Sequence, residues 1–108
     1  MGRPRVIAVD FDGTLCEWAY PDIGRPIYKT LGYIINEQRK GNRIILWTCR
    51  ASRELKEAVA WCQRFGIFFD AVNEDLEYVN GTYFGDNKSV KVCADIYLDD
   101  RNILMDSL

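Results

Sequence analysis

The stretch Val6-Ile7-Ala8-Val9-Asp10-Phe11-Asp12-Gly13-Thr14-Leu15 places the strongest limit on the fold. An uninterrupted apolar run of this kind suits a strand buried on both faces. It stops at two acids flanking Phe11, with Gly13-Thr14 behind them. Like charges set together at the mouth of a hydrophobic strand are costly. A chain that keeps them there needs a use for them.

The remainder of the chain alternates between strand-like and helix-like patterns. The first strand is expected over Arg5 to Asp10, followed by a loop, Gly13 to Pro26, that Pro21, Gly24 and Pro26 keep irregular. Ile27, Leu31, Ile34 and Ile35 fall on one helical face, which predicts a helix from Ile27 to Lys40, stopped by Gly41-Asn42. A second strand follows over Arg43 to Thr48. A second helix over Ala51 to Phe65 carries its apolar stripe on Ala51, Leu55, Ala58, Val59, Cys62 and Phe65, and Gly66 closes it. The third strand is expected over Ile67 to Val72. Asn80-Gly81 within Glu77 to Phe84 is a two-residue hairpin signal. A short helical or irregular turn around Ser89 to Cys93 precedes the fourth strand, Ala94 to Asp99.

Strands alternating with helices imply an α/β fold: a Rossmann-like, doubly wound parallel sheet with helices on both faces, in three α/β/α layers. At 108 residues the chain is expected to form a single domain, residues 1–108. The first residues hold no apolar stretch of an export signal and no run is long enough to span a bilayer, so a cytoplasmic location is expected. The net charge is −2 without a basic block, which gives no footprint for nucleic-acid binding. The four cysteines show no zinc-ligand spacing and are expected to be reduced and mostly packed. Histidine is absent, which removes Ser-His-Asp triads and Cys-His dyads. Acid–base work then falls to Asp, Glu, Lys, Tyr or Cys, and a bound metal would be a hard, oxygen-ligated one such as magnesium.

Parallel sheets place ligand sites at the carboxyl ends of their strands. The first strand delivers Asp10 and Asp12 there, the second Thr48, the fourth Asp99 and Asp100, with Lys91 or Lys88 just upstream. One isolated acid at a strand end is usually a turn or cap residue. Four carboxylates sharing an edge would repel one another without a cation, and magnesium (Mg2+) resolves that repulsion while suiting water and phosphate.

These residues resemble the motifs of the haloacid dehalogenase-like (HAD) superfamily. "DFDGT", Asp10 to Thr14, is similar to its first motif, DxDxT. "ILWT", Ile45 to Thr48, is similar to the second, Lys91 to the third, and "IYLDD", Ile96 to Asp100, to the fourth. The likeness covers about Val6 to Asn102 and points to small, capless members of the superfamily. It implies a magnesium-dependent phosphomonoester hydrolase. Asp10 would be the nucleophile that becomes an aspartyl phosphate. Asp12 would be the general acid and then the general base. Thr48 and Lys91 would hold phosphoryl oxygens, and Lys91 is placed ahead of Lys88 by the same likeness. Asp10, Asp12 (through its carbonyl), Asp99 and Asp100 would form the metal site. A non-enzymatic phosphoacceptor or a degenerate phosphate-binding protein is the alternative.

Other features carry less. Arg50 and Arg53 at the start of the second helix suit either a nearby anion or surface pairing with Glu54 or Glu57. Asn42 and Asn73 suit turns. Trp47 and Trp61 suit the core, whereas Trp18 and Tyr20 sit in the loop, where they suit either touching a substrate or simply packing that loop. Both usual cap positions, Gly13 to Pro26 and Asn73 to Lys88, are short, so the site is expected to be open. It would take a large phosphorylated substrate, or a small one with a second copy of the chain as lid. Only residues 101–108 follow Asp100, which implies a minimal sheet or one completed by a partner.

Overall fold

Strand β1, Val6–Val9, is buried at every position and lies inside the sheet, as its unbroken apolar sequence requires. The computed structural model describes residues 3–74 and 94–99. After β1 come helix α1 (Tyr28–Arg39), β2 (Arg43–Leu46), helix α2 (Ser52–Arg64), β3 (Ala71–Val72) and β4 (Ile96–Leu98). The sheet order is β3-β2-β1-β4, and every pairing is parallel. The strands thus run outward from β1 to β3 and then return to the other side of β1, which is the order of a doubly wound, Rossmann-like α/β sheet. The expected hairpin at Asn80-Gly81, the turn at Ser89 to Cys93 and residues 101–108 lie outside the described residues.

Side chains alternate across the sheet. Ile7, Val9, Ile44 and Leu46 face Leu31 and Ile34 of α1 and Ala58 and Cys62 of α2 in the main core. Val6, Ala8 and Ile45 form a smaller cluster on the opposite face with Trp47, Ala71, Ala94 and Tyr97. Each fully buried aliphatic side chain contributes about 1.5–3 kcal/mol, so the core favours this register strongly over a one-residue slip. Gly41 and Gly66, just past the two helices, have φ of 90° and 89°, which a Cβ would strain, so both stops fall where the glycines predict. No described helix is long and apolar enough to cross a membrane.

The third strand is shorter than its apolar run suggests. Gln38 of α1 accepts the Phe68 N–H and donates to the Gly66 carbonyl, so that stretch is satisfied by a side chain and not by β2. Pairing starts only at Asp70, whose N–H donates to Ile44 O and whose carboxylate accepts the Ile44 N–H. β2 also ends before Thr48, because the Thr48 N–H is taken by the Asn73 side chain. Asn42 does more than turn the chain: it accepts the Arg5 N–H and donates to buried Glu37, fastening α1 to the start of β1.

Asp95 fastens the other side. Its carboxylate accepts the Val6 N–H at 2.7 Å and pairs with both terminal nitrogens of Arg3 at 3.1 and 2.8 Å. The Arg3 hydrogen bonds hold this carboxyl below its ordinary 3.8. The folded chain therefore binds that proton more weakly than the unfolded one. The resulting stability is complete above the unfolded value and is lost as pH falls through the lower folded value. Thermal melts at pH 7 and pH 3 should show a smaller acid-induced drop in Asp95→Asn than in the wild type.

Candidate active site at the strand ends

The register of the central strands brings the acids together. Val9 pairs with Leu98 across β1 and β4, so Asp10 and Asp99 are the next residues on adjacent strands, about 5 Å apart along the backbone. The Asp10 N–H donates to Leu98 O, which carries the pairing to the last residue before the site. On the other flank Trp47 N–H donates to Val9 O, which delivers Thr48 to the same edge. Asp10 Oδ1 accepts the Phe11 N–H at 2.7 Å. That bond fixes one carboxylate oxygen.

After Phe11 the chain coils. Its carbonyl accepts the N–H groups of Thr14 and Leu15, and Gly13 adopts a φ of 83°. A Cβ at Gly13 would fall on the Trp18 indole nitrogen, with indole Cε2 2.9 Å away, so conformation and close approach both call for glycine. This coil turns Asp12 off the strand line, as Gly13 predicts. Thr14, the last residue of the DxDxT pattern, is fully buried, and its hydroxyl meets no hydrogen-bond partner among the described residues.

Asp12 is only 6% exposed, and Arg50 holds both of its carboxylate oxygens. Arg50 Nε donates to Oδ2 at 2.9 Å and Nη2 to Oδ1 at 2.8 Å. The guanidinium, itself 2% exposed, also donates to Pro21 O, Asp22 O and Glu54 O, and lies over the rings of Phe11 and Tyr20 at 4.9 and 5.0 Å. The Asp12 hydrogen bonds hold Arg50 even more firmly protonated than usual. Neither expected use of Arg50, anion binding or surface pairing, describes this interior hub. Arg53 does follow the surface reading, at 3.5 Å from Glu54 and 4.0 Å from Glu57.

Thr48 is oriented from two sides. Its N–H donates to Asn73 Oδ1 at 2.7 Å, and its Oγ1 accepts the Arg50 N–H at 3.1 Å. The hydroxyl proton remains available for donation. Asn73, with φ of 56°, is a turn residue as expected, and its side chain also sets Thr48.

Asp10, Asp12, Thr48, Cys49, Arg50, Trp18 and Tyr20 line one cavity of about 260 Å³. A second cavity of about 260 Å³ shares Asp10, Thr48 and Cys49 with the first and is lined also by Trp47. Trp18 and Tyr20 therefore do face the site. Trp47 and Trp61 are both half-buried against the core: Trp47 also lines the second cavity, and Trp61 lies edge-on to Phe11 at 5.5 Å. Cys16 and Cys62 are buried thiols, the latter pushed up by burial to about 12, and Cys49 is exposed. Lys91, Lys88 and Asp100 lie outside the described residues.

Asp10 and Asp99 are the hard oxygen donors here. The described residues contain no cluster of three or more acids, cysteines or histidines able to hold a metal. Two carboxylates with water and phosphate suffice for magnesium, so the donor set fits it. With its carboxylate engaged by Arg50, Asp12 could contribute only its backbone carbonyl.

Fold and site together define a parallel α/β protein with an acidic pocket at the carboxyl end of its sheet. No protein-family model and no curated protein matches the chain. A solved structure, that of a conserved protein from Bacteroides thetaiotaomicron, is 38% identical with a TM-score of 0.77, over 93% of this chain and 78% of that one. The chain belongs to the same family as that conserved protein.

Proposed function

We propose that the chain is a magnesium-dependent phosphomonoester hydrolase of the HAD-like kind, working through an aspartyl phosphate on Asp10. The observation that carries this reading is the juxtaposition of Asp10 and Asp99 at adjacent strand ends, beside the Thr48 hydroxyl and the separately held Asp12. An Asp10 carboxylate oxygen attacks phosphorus, and the ester P–O bond breaks with its electron pair going to the departing oxygen. Asp12 gives that oxygen a proton. Water then attacks the aspartyl phosphate, Asp12 takes its proton, and phosphate leaves with Asp10 restored. Thr48, joined by Lys91 on the HAD likeness, steadies the phosphoryl oxygens. Asp10, Asp99, the Asp12 carbonyl and Asp100 would hold magnesium, which supplies charge neutralisation at the phosphoryl group. The three described thiols, all free, suit a reducing, cytoplasmic setting.

A panel of nucleotides, sugar phosphates and phosphopeptides supplied with magnesium tests this. Phosphate release from at least one class, abolished by a chelator and restored by added magnesium, is the expected result. Release that ignores the chelator, or none from a folded protein, removes the proposal. One observation favours a second reading, a phosphoacceptor that turns over slowly. Asp12 must loosen from Arg50 to handle a proton, and the bidentate pair resists that.

A further inference from the structure

We infer that the cavity beside Asp10 selects a phosphomonoester whose esterified group carries a flat aromatic ring. This inference rests on the phosphatase reading and names its substrate class. Trp18 and Tyr20 are 65% and 55% exposed, and both line the cavity that Asp10 and Thr48 also line. Large rings left in water on a polar rim forgo hydrophobic stabilisation unless something covers them.

The rings are held in place. The Tyr20 ring lies over the Arg50 guanidinium, and the next two carbonyls, Pro21 O and Asp22 O, are tied to that same group. Trp18 packs against Gly13 at the coil that follows the nucleophile. A preorganised wall loses little freedom when a ring stacks on it.

The polar groups of the cavity argue the same way. Arg50 has an acceptor for each of its guanidinium N–H groups: two on Asp12 and three backbone carbonyls. Nothing from it remains to bind a hydroxyl-rich group. Thr48 and the acids serve the phosphoryl end. A sugar or glycerol chain would find few donors beside the rings, whereas an aromatic group is satisfied by stacking.

The test uses the full chain carrying Asp10→Asn, titrated calorimetrically in magnesium buffer. The probes are phenyl phosphate, adenosine 5′-monophosphate, ribose 5-phosphate and glycerol 3-phosphate. At least one aromatic ester should bind about tenfold more tightly than both alkyl esters, the scale of one ring stacked on an aromatic side chain. Tighter phenyl phosphate puts the ring directly on the esterified oxygen, and tighter adenosine monophosphate puts it one sugar away. Adding Trp18→Ala or Tyr20→Ala should reduce the preference to less than about threefold, while Trp18→Phe and Tyr20→Phe keep it. Equal affinities, absent binding of both aromatic esters, or a preference indifferent to both alanine variants overturns the inference. Wild-type phosphate release is read separately. No turnover of these probes or of the wider panel alongside a ring preference removes the hydrolase reading alone, and turnover without the preference removes this one alone.

Discussion

Asp10→Asn is expected to eliminate phosphate release, by at least about a thousandfold, without unfolding the chain. The amide keeps the shape and retains a carbonyl oxygen for the Phe11 N–H, so the backbone at the end of β1 is unchanged. It removes the proposed nucleophile, since an amide cannot attack phosphorus to give an aspartyl phosphate. One charge also leaves the Asp10–Asp99 pair, so magnesium should bind more weakly. Three measurements decide the matter: phosphate release, the thermal midpoint, and mass detection of a phosphorylated protein. A variant that still turns over substrate would remove Asp10 from the chemistry. One that unfolds would leave phosphorylation of the wild type at Asp10, mapped by mass, as the deciding measurement.

Arg50→Ala should destabilise the fold by about 3–5 kcal/mol, the usual result of leaving one member of a buried ion pair uncompensated. Asp12 would lose both donors, the Pro21, Asp22 and Glu54 carbonyls would lose theirs, and a void would open beneath Phe11 and Tyr20. Arg50→Lys keeps the charge but not the planar fork. It should fold, with a lower thermal midpoint, and show kcat reduced by about tenfold to a hundredfold at similar KM, because Asp12 is no longer aimed. A double-mutant cycle with Asp12→Asn should give a coupling of about 1–3 kcal/mol in thermal or denaturant unfolding. Additive effects would show that the pair does not act as a unit. Faster loss of the phosphoryl group from Asp10 in Arg50→Lys would favour the phosphoacceptor reading, in which Arg50 restrains Asp12.

Local signals made most of the fold legible in the sequence. Val6 to Val9 can be little other than an inner strand, and the two helices are bounded by glycines whose backbone angles few other residues adopt. The acids at the ends of β1 and β4 were visible because strand ends in a parallel sheet share an edge. What escaped was set by distant partners. Ile67 to Phe69 look like strand, but an amide on α1 occupies their backbone. Arg50 carries no local sign of its task, because its carboxylate partner lies 38 positions away and the neighbouring acid, Glu54, offers a carbonyl. Asn73 passes for a turn until the Thr48 amide is seen on its side chain. Trp47 follows the apolar pattern of β2 past its last paired residue, and so emerges into a cavity.

On the hydrolase reading, the hold of Asn73 on Thr48 would tie the working temperature to the outermost described strand, β3. β3 is short, pairing Ile45–Ala71 and Leu46–Val72 with the Asp70 and Asn73 N–H groups bonded to β2 at either end; its residues are half-buried, and it is the outermost strand among the described residues. Short edge elements open at far lower free energy than a buried central strand. Heating should fray β3 first and unhook Thr48 while β1 and its packed helices persist. Phosphate release would then decline, reversibly, at temperatures where far-ultraviolet circular dichroism still reports a folded chain. On the hydrolase reading, the thermal limit of activity would be set by two residues in the outermost described strand, below that of the interior.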